Sequence, residues 1–323
     1  MSRNSVIKSF SILTAFFLIV CAMIFTGCEK NEDVHTLTYG RKGSSAPVTT
    51  GKAPDDEVVT WNRYALGASL SDSSFYADAC GLIDVICAGE ESFSASSETA
   101  AEALAENMFF NFPPAALCSF TVNGKIIKIE WSIEQKAERI KAVEDFGNKV
   151  SSVISSLQLD KRSEPEIALL LYRWTAKNVK YFETDYNDKQ ISAYNALMDG
   201  YTICYGFADT YNYLLRQTGI KAELLRGSRI GDNAEHGWSL VTINGKLYHC
   251  DPTWERSTTG GNGLVFFGMT DRQRYEYLNK NPVRDFGILE TIYDNRSASS
   301  TTFLDIQKLT NWNIDKIANY IDQ

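Results

Sequence analysis

The 323-residue chain is 44% apolar and 22% charged, the composition of an ordinary globular protein and too long for a mini-protein. That length allows one sizeable domain with a smaller one beside it. Its formal charge of −8, with no block of Lys or Arg, argues against nucleic acid and against docking on anionic lipid. The first 27 residues stand apart. Arg3 and Lys8 make a basic start, Phe10 to Phe25 is an apolar run, and the small residues Thr26 and Gly27 precede Cys28. This is the layout of a secretory signal, whose removal would take the charge from −8 to −10.

Phe25, Thr26, Gly27 and Cys28 together resemble the lipobox of bacterial lipoproteins, which implies lipidation of Cys28 and a membrane anchor on the extracytoplasmic face. Residues 28–57 are polar and rich in Gly, Ser and Pro, so they are expected to act as a disordered tether. Such a coil lets the body stand roughly 30 Å from the membrane. The cysteines left after the signal are 28, 80, 87, 118, 204 and 250. Cys80 and Cys87 fall on one predicted helix, about 10 Å apart, beyond disulfide reach, and read as packing residues.

Residues 58–160 form an accessory region. Ser97 to Met108 is a predicted helix, ended by Pro113 and Pro114. Asn123 and Gly124 sit between two β-prone runs, 119–122 and 125–131, and predict a hairpin. Ile133 to Leu157 is a predicted helix that could lead into the main domain or pack upon it. The main domain spans 161–290 and opens at Ser163, Glu164, Pro165 and Glu166, the signature of a capped helix start. A short β-like run is expected at Leu264 to Phe267, and residues 291–323 should hold an amphipathic helix near 313–321.

Two segments carry chemistry. Phe207, Tyr211, Leu214 and Leu215 repeat at helical spacing and Gly219 stops the run, which places Cys204 at a helix N-terminus. Unpaired N–H groups and the helix dipole favour a thiolate there, and the same groups can stabilise an oxyanion. Taken alone, Cys204 reads better as a small buried hydrophobe, as most cysteines are. The second segment is a hairpin around Asn244 and Gly245, in which Ile243 opposes Lys246. Extending that register sets His236 opposite Thr253 and Asp251 opposite Trp238, all on one face. His236 and Asp251 become diagonal neighbours, about 7–8 Å apart at Cα, with room for an imidazole–carboxylate bond. A histidine so held can take a thiol's proton and return it. Either residue alone could be structural, His236 bonding backbone and Asp251 starting a turn before Pro252. His249, opposite Leu240, suits packing better, and Cys250 points to the face opposite Asp251.

At these residues the chain resembles the bacterial transglutaminase-like superfamily. The likeness rests on Cys204-Tyr205-Gly206-Phe207-Ala208, on His236-Gly237-Trp238, and on Asp251-Pro252-Thr253-Trp254, in that order, with Tyr194 to Leu197 before the nucleophile. Ser239 and Cys250 depart from the residues common at those places. The resemblance implies an α+β fold with a papain/transglutaminase-like core, its nucleophile helix packed on an antiparallel sheet that bears His and Asp. It implies Cys204, His236 and Asp251 as a triad for acyl transfer or hydrolysis on peptide or protein amides, with no cofactor and no metal. A catalytically silent module that binds wall or protein partners is the alternative.

Overall fold

The computed structural model describes residues 60–182, 191–228 and 235–269, all within one compact unit, Val58–Gln323. The signal, Cys28, the tether and the helix expected near 313–321 lie outside the described residues. No helix among the described residues is long and apolar enough to cross a membrane.

The first layer begins with α1 (Tyr76–Cys87), then β1 (Ser92–Ser94) and α2 (Glu98–Asn111). Ser97 caps α2, its Oγ accepting from Ala100 N at 3.1 Å. A 3-10 turn over Pro113–Leu117 leads into β2 (Cys118–Asn123) and β3 (Ile126–Trp131), and the antiparallel sheet runs β1-β3-β2. The hairpin turn is one residue later than the sequence predicts. Asn123 pairs with Ile126, so Gly124 and Lys125 make the turn. Only Gly124 has positive φ, +56°, which fits a turn with glycine at its first central position rather than the Asn-Gly type. Ile127 and Ile129 point inward from β3 against Leu82, Ile83 and Ile86 of α1 and Leu104 and Met108 of α2.

The second core gathers around one helix. α3 (Lys136–Ser156) is followed by α4 (Glu164–Asn178), whose start is boxed by Ser163: its N–H and its hydroxyl both donate to Glu166 Oε2, at 2.9 and 2.6 Å. The two-residue strands β4 (Lys180–Tyr181) and β5 (Tyr201–Thr202) pair in parallel on either side of α5 (Ala193–Met198). Then come α6 (Cys204–Gln217), an antiparallel sheet of β6 (Ala222–Ser228), β7 (Glu235–Ile243) and β8 (Lys246–Cys250), and α7 (Pro252–Thr259). α6 is central, packed on β6 and β7 and against α4, α5 and α7. Phe207, Tyr211, Leu214 and Leu215 are fully buried, each worth about 1.5–3 kcal/mol. The buried Tyr211 hydroxyl is satisfied by Ala168 O at 2.9 Å. Gly219, at φ +83°, ends the helix.

The β7–β8 register is the expected one, Ile243 opposite Lys246, with Asn244 and Gly245 both at positive φ. The ladder stops at Ser239 and Cys250, however. Asp251 and Thr253 are not strand residues facing Trp238 and His236. Pro252 lacks the N–H a ladder needs and instead opens α7. Nor is Leu264 to Phe267 a strand. That stretch turns, and the chain meets the sheet only at Met269, which bridges His249. The fold is α+β, with the helix that begins at Cys204 packed on an antiparallel sheet.

Candidate active site

Cys204 is the first residue of α6, and only 5% exposed. The chain enters from β5 through extended Ile203, and the turn into helix is tight. A Cβ on Gly206 would collide with the Thr202 side chain, so only glycine fits the third position of the Cys-Tyr-Gly segment. The first-turn N–H groups of α6 have no intrahelical acceptor and stand around the sulfur's end of the helix.

β7 brings His236 to that end. The approach depends on Gly237, where a Cβ would lie 2.6 Å from Tyr205 Cδ1 and 3.3 Å from Tyr205 Cα. His236 Nε2 donates to Asp251 Oδ2 at 2.8 Å, and the thiol of Cys204 hydrogen-bonds the same imidazole, for which Nδ1 is the nitrogen that remains. Burial alone would push this imidazole toward neutrality. The Asp251 charge and hydrogen bond outweigh it, Cys204 adds to them, and the pKa is raised to about 9. The ring also lies against two indoles, with centroids 4.9 Å from Trp254 and 6.0 Å from Trp238, each within 16° of parallel.

Asp251 is fully buried and serves two elements. While Oδ2 holds His236, Oδ1 accepts from Trp254 N at 3.0 Å and so caps α7. The Asp-Pro-Thr-Trp segment is therefore a helix start: the acid as cap, proline in the first turn, and the tryptophan whose N–H meets the cap.

All three residues singled out from sequence thus come together, and the two set aside do not join them. Cys250 packs in the core on the other side of the sheet, its Sγ accepting from Gly268 N at 3.4 Å. His249 is fully buried, and its Nδ1 accepts from Trp238 Nε1 at 3.1 Å. Cys80, Cys87 and Cys118 form no disulfide among the described residues and lie half-buried in the first layer. Burial pushes the Cys87 thiol up to about 11.

Sequence reasoning missed the support beneath Asp251. Glu255 is fully buried, its Oε2 accepting from Tyr172 Oη and Phe266 N, both at 2.9 Å, and its Oε1 from Thr259 Oγ1 at 2.8 Å. Tyr172 Oη also reaches Asp251 O at 3.2 Å. An acid four residues past Asp251 reads as a solvated helix residue, since acids are rarely buried unless partnered, and its partners come from three separate segments.

The model of the family described as "Transglutaminase-like superfamily" matches residues 152–252, which contain Cys204, His236 and Asp251. No curated protein matches the chain. Among solved structures, a proposed cysteine protease from Cytophaga hutchinsonii is similar at 21% identity and a TM-score of 0.25, over 32% of this chain and 42% of that one. A TGase is similar at 17% identity and a TM-score of 0.30, over 42% of this chain and 43% of that one. This chain spans less than half the length of either. The residues that form the site lie inside the matched segment, and over 152–252 this chain is similar to the transglutaminase-like superfamily.

Proposed function

We propose that the domain is a cysteine-dependent acyltransferase or hydrolase acting on peptide or protein amides. The observation that supports this reading is the hydrogen-bonded chain Cys204–His236–Asp251 at the start of a buried helix. His236 Nδ1 takes the thiol proton and the sulfur attacks the amide carbon, forming a C–S bond and an oxyanion facing the first-turn N–H groups of α6. Collapse breaks the C–N bond as the imidazolium returns its proton to the leaving amine, and a thioester remains on Cys204. Water or a second amine then attacks the thioester, giving its proton to His236, and the thiolate leaves.

A single-turnover assay with an activated ester and with a glutamine peptide tests this. A burst is expected, with the acyl group mapped to Cys204, and both should vanish in Cys204→Ala and His236→Ala while the melting temperature barely moves. A burst that survives Cys204→Ala overturns the assignment, and no acylation in the intact protein favours the silent binding module. The body is further proposed to be held at the extracytoplasmic membrane face by lipid on Cys28, a reading supported by the signal-like run before it. Cys28→Ala should move the protein out of the membrane fraction; unchanged retention would sink that reading.

A further inference from the structure

His236 can serve a thiol only if its ring keeps one nitrogen on Asp251 and the other on Cys204, so whatever fixes the ring plane governs the reaction. Two indoles lie along that plane, and each is itself held. Trp254 is fixed through its backbone N–H on Asp251 Oδ1. Trp238, fully buried one turn of pleat from His236, is fixed by its side chain: Nε1 donates to His249 Nδ1 at 3.1 Å. An indole N–H only donates, so Nδ1 of His249 bears no proton and His249 is a neutral imidazole. His249 in turn is pinned by the backbone, its N donating to Met269 O at 2.7 Å and its O accepting from Met269 N at 2.9 Å.

We propose that His249 is a positioning residue for the thiol chemistry: it anchors the Trp238 indole, whose face keeps the His236 ring aligned between Asp251 and Cys204. This rests on the triad reading above and goes beyond it. A buried indole N–H without an acceptor would turn in search of one, and the flat surface against His236 would turn with it. The ring would then point away from the sulfur by a fraction of an ångström to an ångström, enough to slow a positioned proton transfer by about tenfold or more.

The test is the rate at which iodoacetamide modifies Cys204, mapped by mass spectrometry between pH 5 and 10 in the full chain, for His249→Asn, His249→Leu, Trp238→Phe and the double variant Trp238→Phe/His249→Leu. Asn places an amide oxygen where Nδ1 stood, so His249→Asn should stay within about threefold of the parent across the profile. His249→Leu removes the acceptor and should slow modification about tenfold or more, with the alkaline end of the profile displaced. Trp238→Phe removes the donor from the other side and should reproduce that loss, and adding His249→Leu to it should change little further. The cycle separates positioning from mere packing, because a packing defect adds across the two sites. Should His249→Leu fail to fold, Trp238→Phe against His249→Asn still decides: equal, parent-like profiles overturn the proposal. Equal profiles for His249→Leu and the parent, or additive losses in the double variant, overturn it as well. If Cys204 of the parent is no more reactive than Cys80 or Cys118, it is the triad reading that fails instead.

Discussion

Asp251 uses each carboxylate oxygen for a different purpose, and substitution can separate them. Asparagine keeps Oδ1 as an acceptor for Trp254 N, so the α7 cap survives, but it turns an NH2 toward His236 Nε2. The imidazole must then carry its proton on Nδ1, the nitrogen facing the sulfur, and can no longer accept from the thiol. Asp251→Asn should therefore lower the thioester-forming rate by about 10³–10⁴. It should also keep a higher melting temperature than Asp251→Ala, which loses the cap as well, at about 1 kcal/mol. The pH profile carries the same signature. With the His236 pKa at about 9, the parent should lose activity as pH rises through that value and the imidazolium that protonates the leaving amine disappears. Without the Asp251 charge, burial is opposed by Cys204 alone and the limb should move down in pH. Because the folded pKa lies above the ordinary 6.5, the stabilisation from this pair is complete below 6.5 and is lost as pH rises through about 9. Melting curves and rates across pH 6–10 check both; an unmoved limb in Asp251→Asn would refute the assigned cause.

Among the elements, the meeting of β7 with the start of α6 sets the distance between His236 and Cys204, and Gly237 sets how close they come. A methyl at that position would press on the Tyr205 ring at 2.6 Å and force strand and helix apart. Gly237→Ala should slow Cys204 modification by about tenfold or more, and Tyr205→Ala added to it should restore part of the rate by removing the ring. Full activity in Gly237→Ala would show that the approach is not limiting. How far these elements were legible follows from which physics fixes each one. The Asn244–Gly245 turn has two residues at positive φ, and its chemistry alone sets the register. Helical spacing and Gly219 likewise bound α6 and put Cys204 at its start. The ladder's end was not foreseen, because the strand pattern continues past Cys250 and only the proline and the cap by Asp251 stop it. The apolar run at Leu264 to Phe267 looked like a strand, yet the backbone N–H of Phe266 goes to Glu255, a buried acid that no local pattern reveals.

Among the described residues the two largest apolar cores lie one between α1, α2 and the first sheet, the other around α6, and Trp61 packs against both. Its ring stacks on Phe112 at 5.9 Å and 17°, and meets Phe146 edge-on at 5.9 Å. It lies over Gly147, where any Cβ would collide with the indole, and its Nε1 donates to Tyr213 Oη on α6 at 2.7 Å. α6 reaches back as well: Arg216 donates to Ala65 O at 3.1 Å and to Phe110 O at 3.0 Å. The first layer is thus tied to the same helix that begins at Cys204. Nothing in the sequence marks Trp61 for this role, since it follows a long polar segment and its partners are 51 to 152 positions away. Trp61→Ala should lower stability by about 3 kcal/mol, the low end of the range for emptying a buried aromatic site, because the ring is only partly buried. Trp61→Phe keeps most of the ring contact but leaves the Tyr213 hydroxyl without its donor, and should cost less, about 1–3 kcal/mol. Because the indole joins two cores rather than filling one, its loss should also divide the unfolding of the chain. Urea titration followed by far-ultraviolet dichroism should give one transition in the parent and two in Trp61→Ala, the earlier belonging to the first layer. A single transition in Trp61→Ala with a loss below about 1 kcal/mol would mean that the two cores are coupled elsewhere, with the Arg216 contacts as the remaining tie.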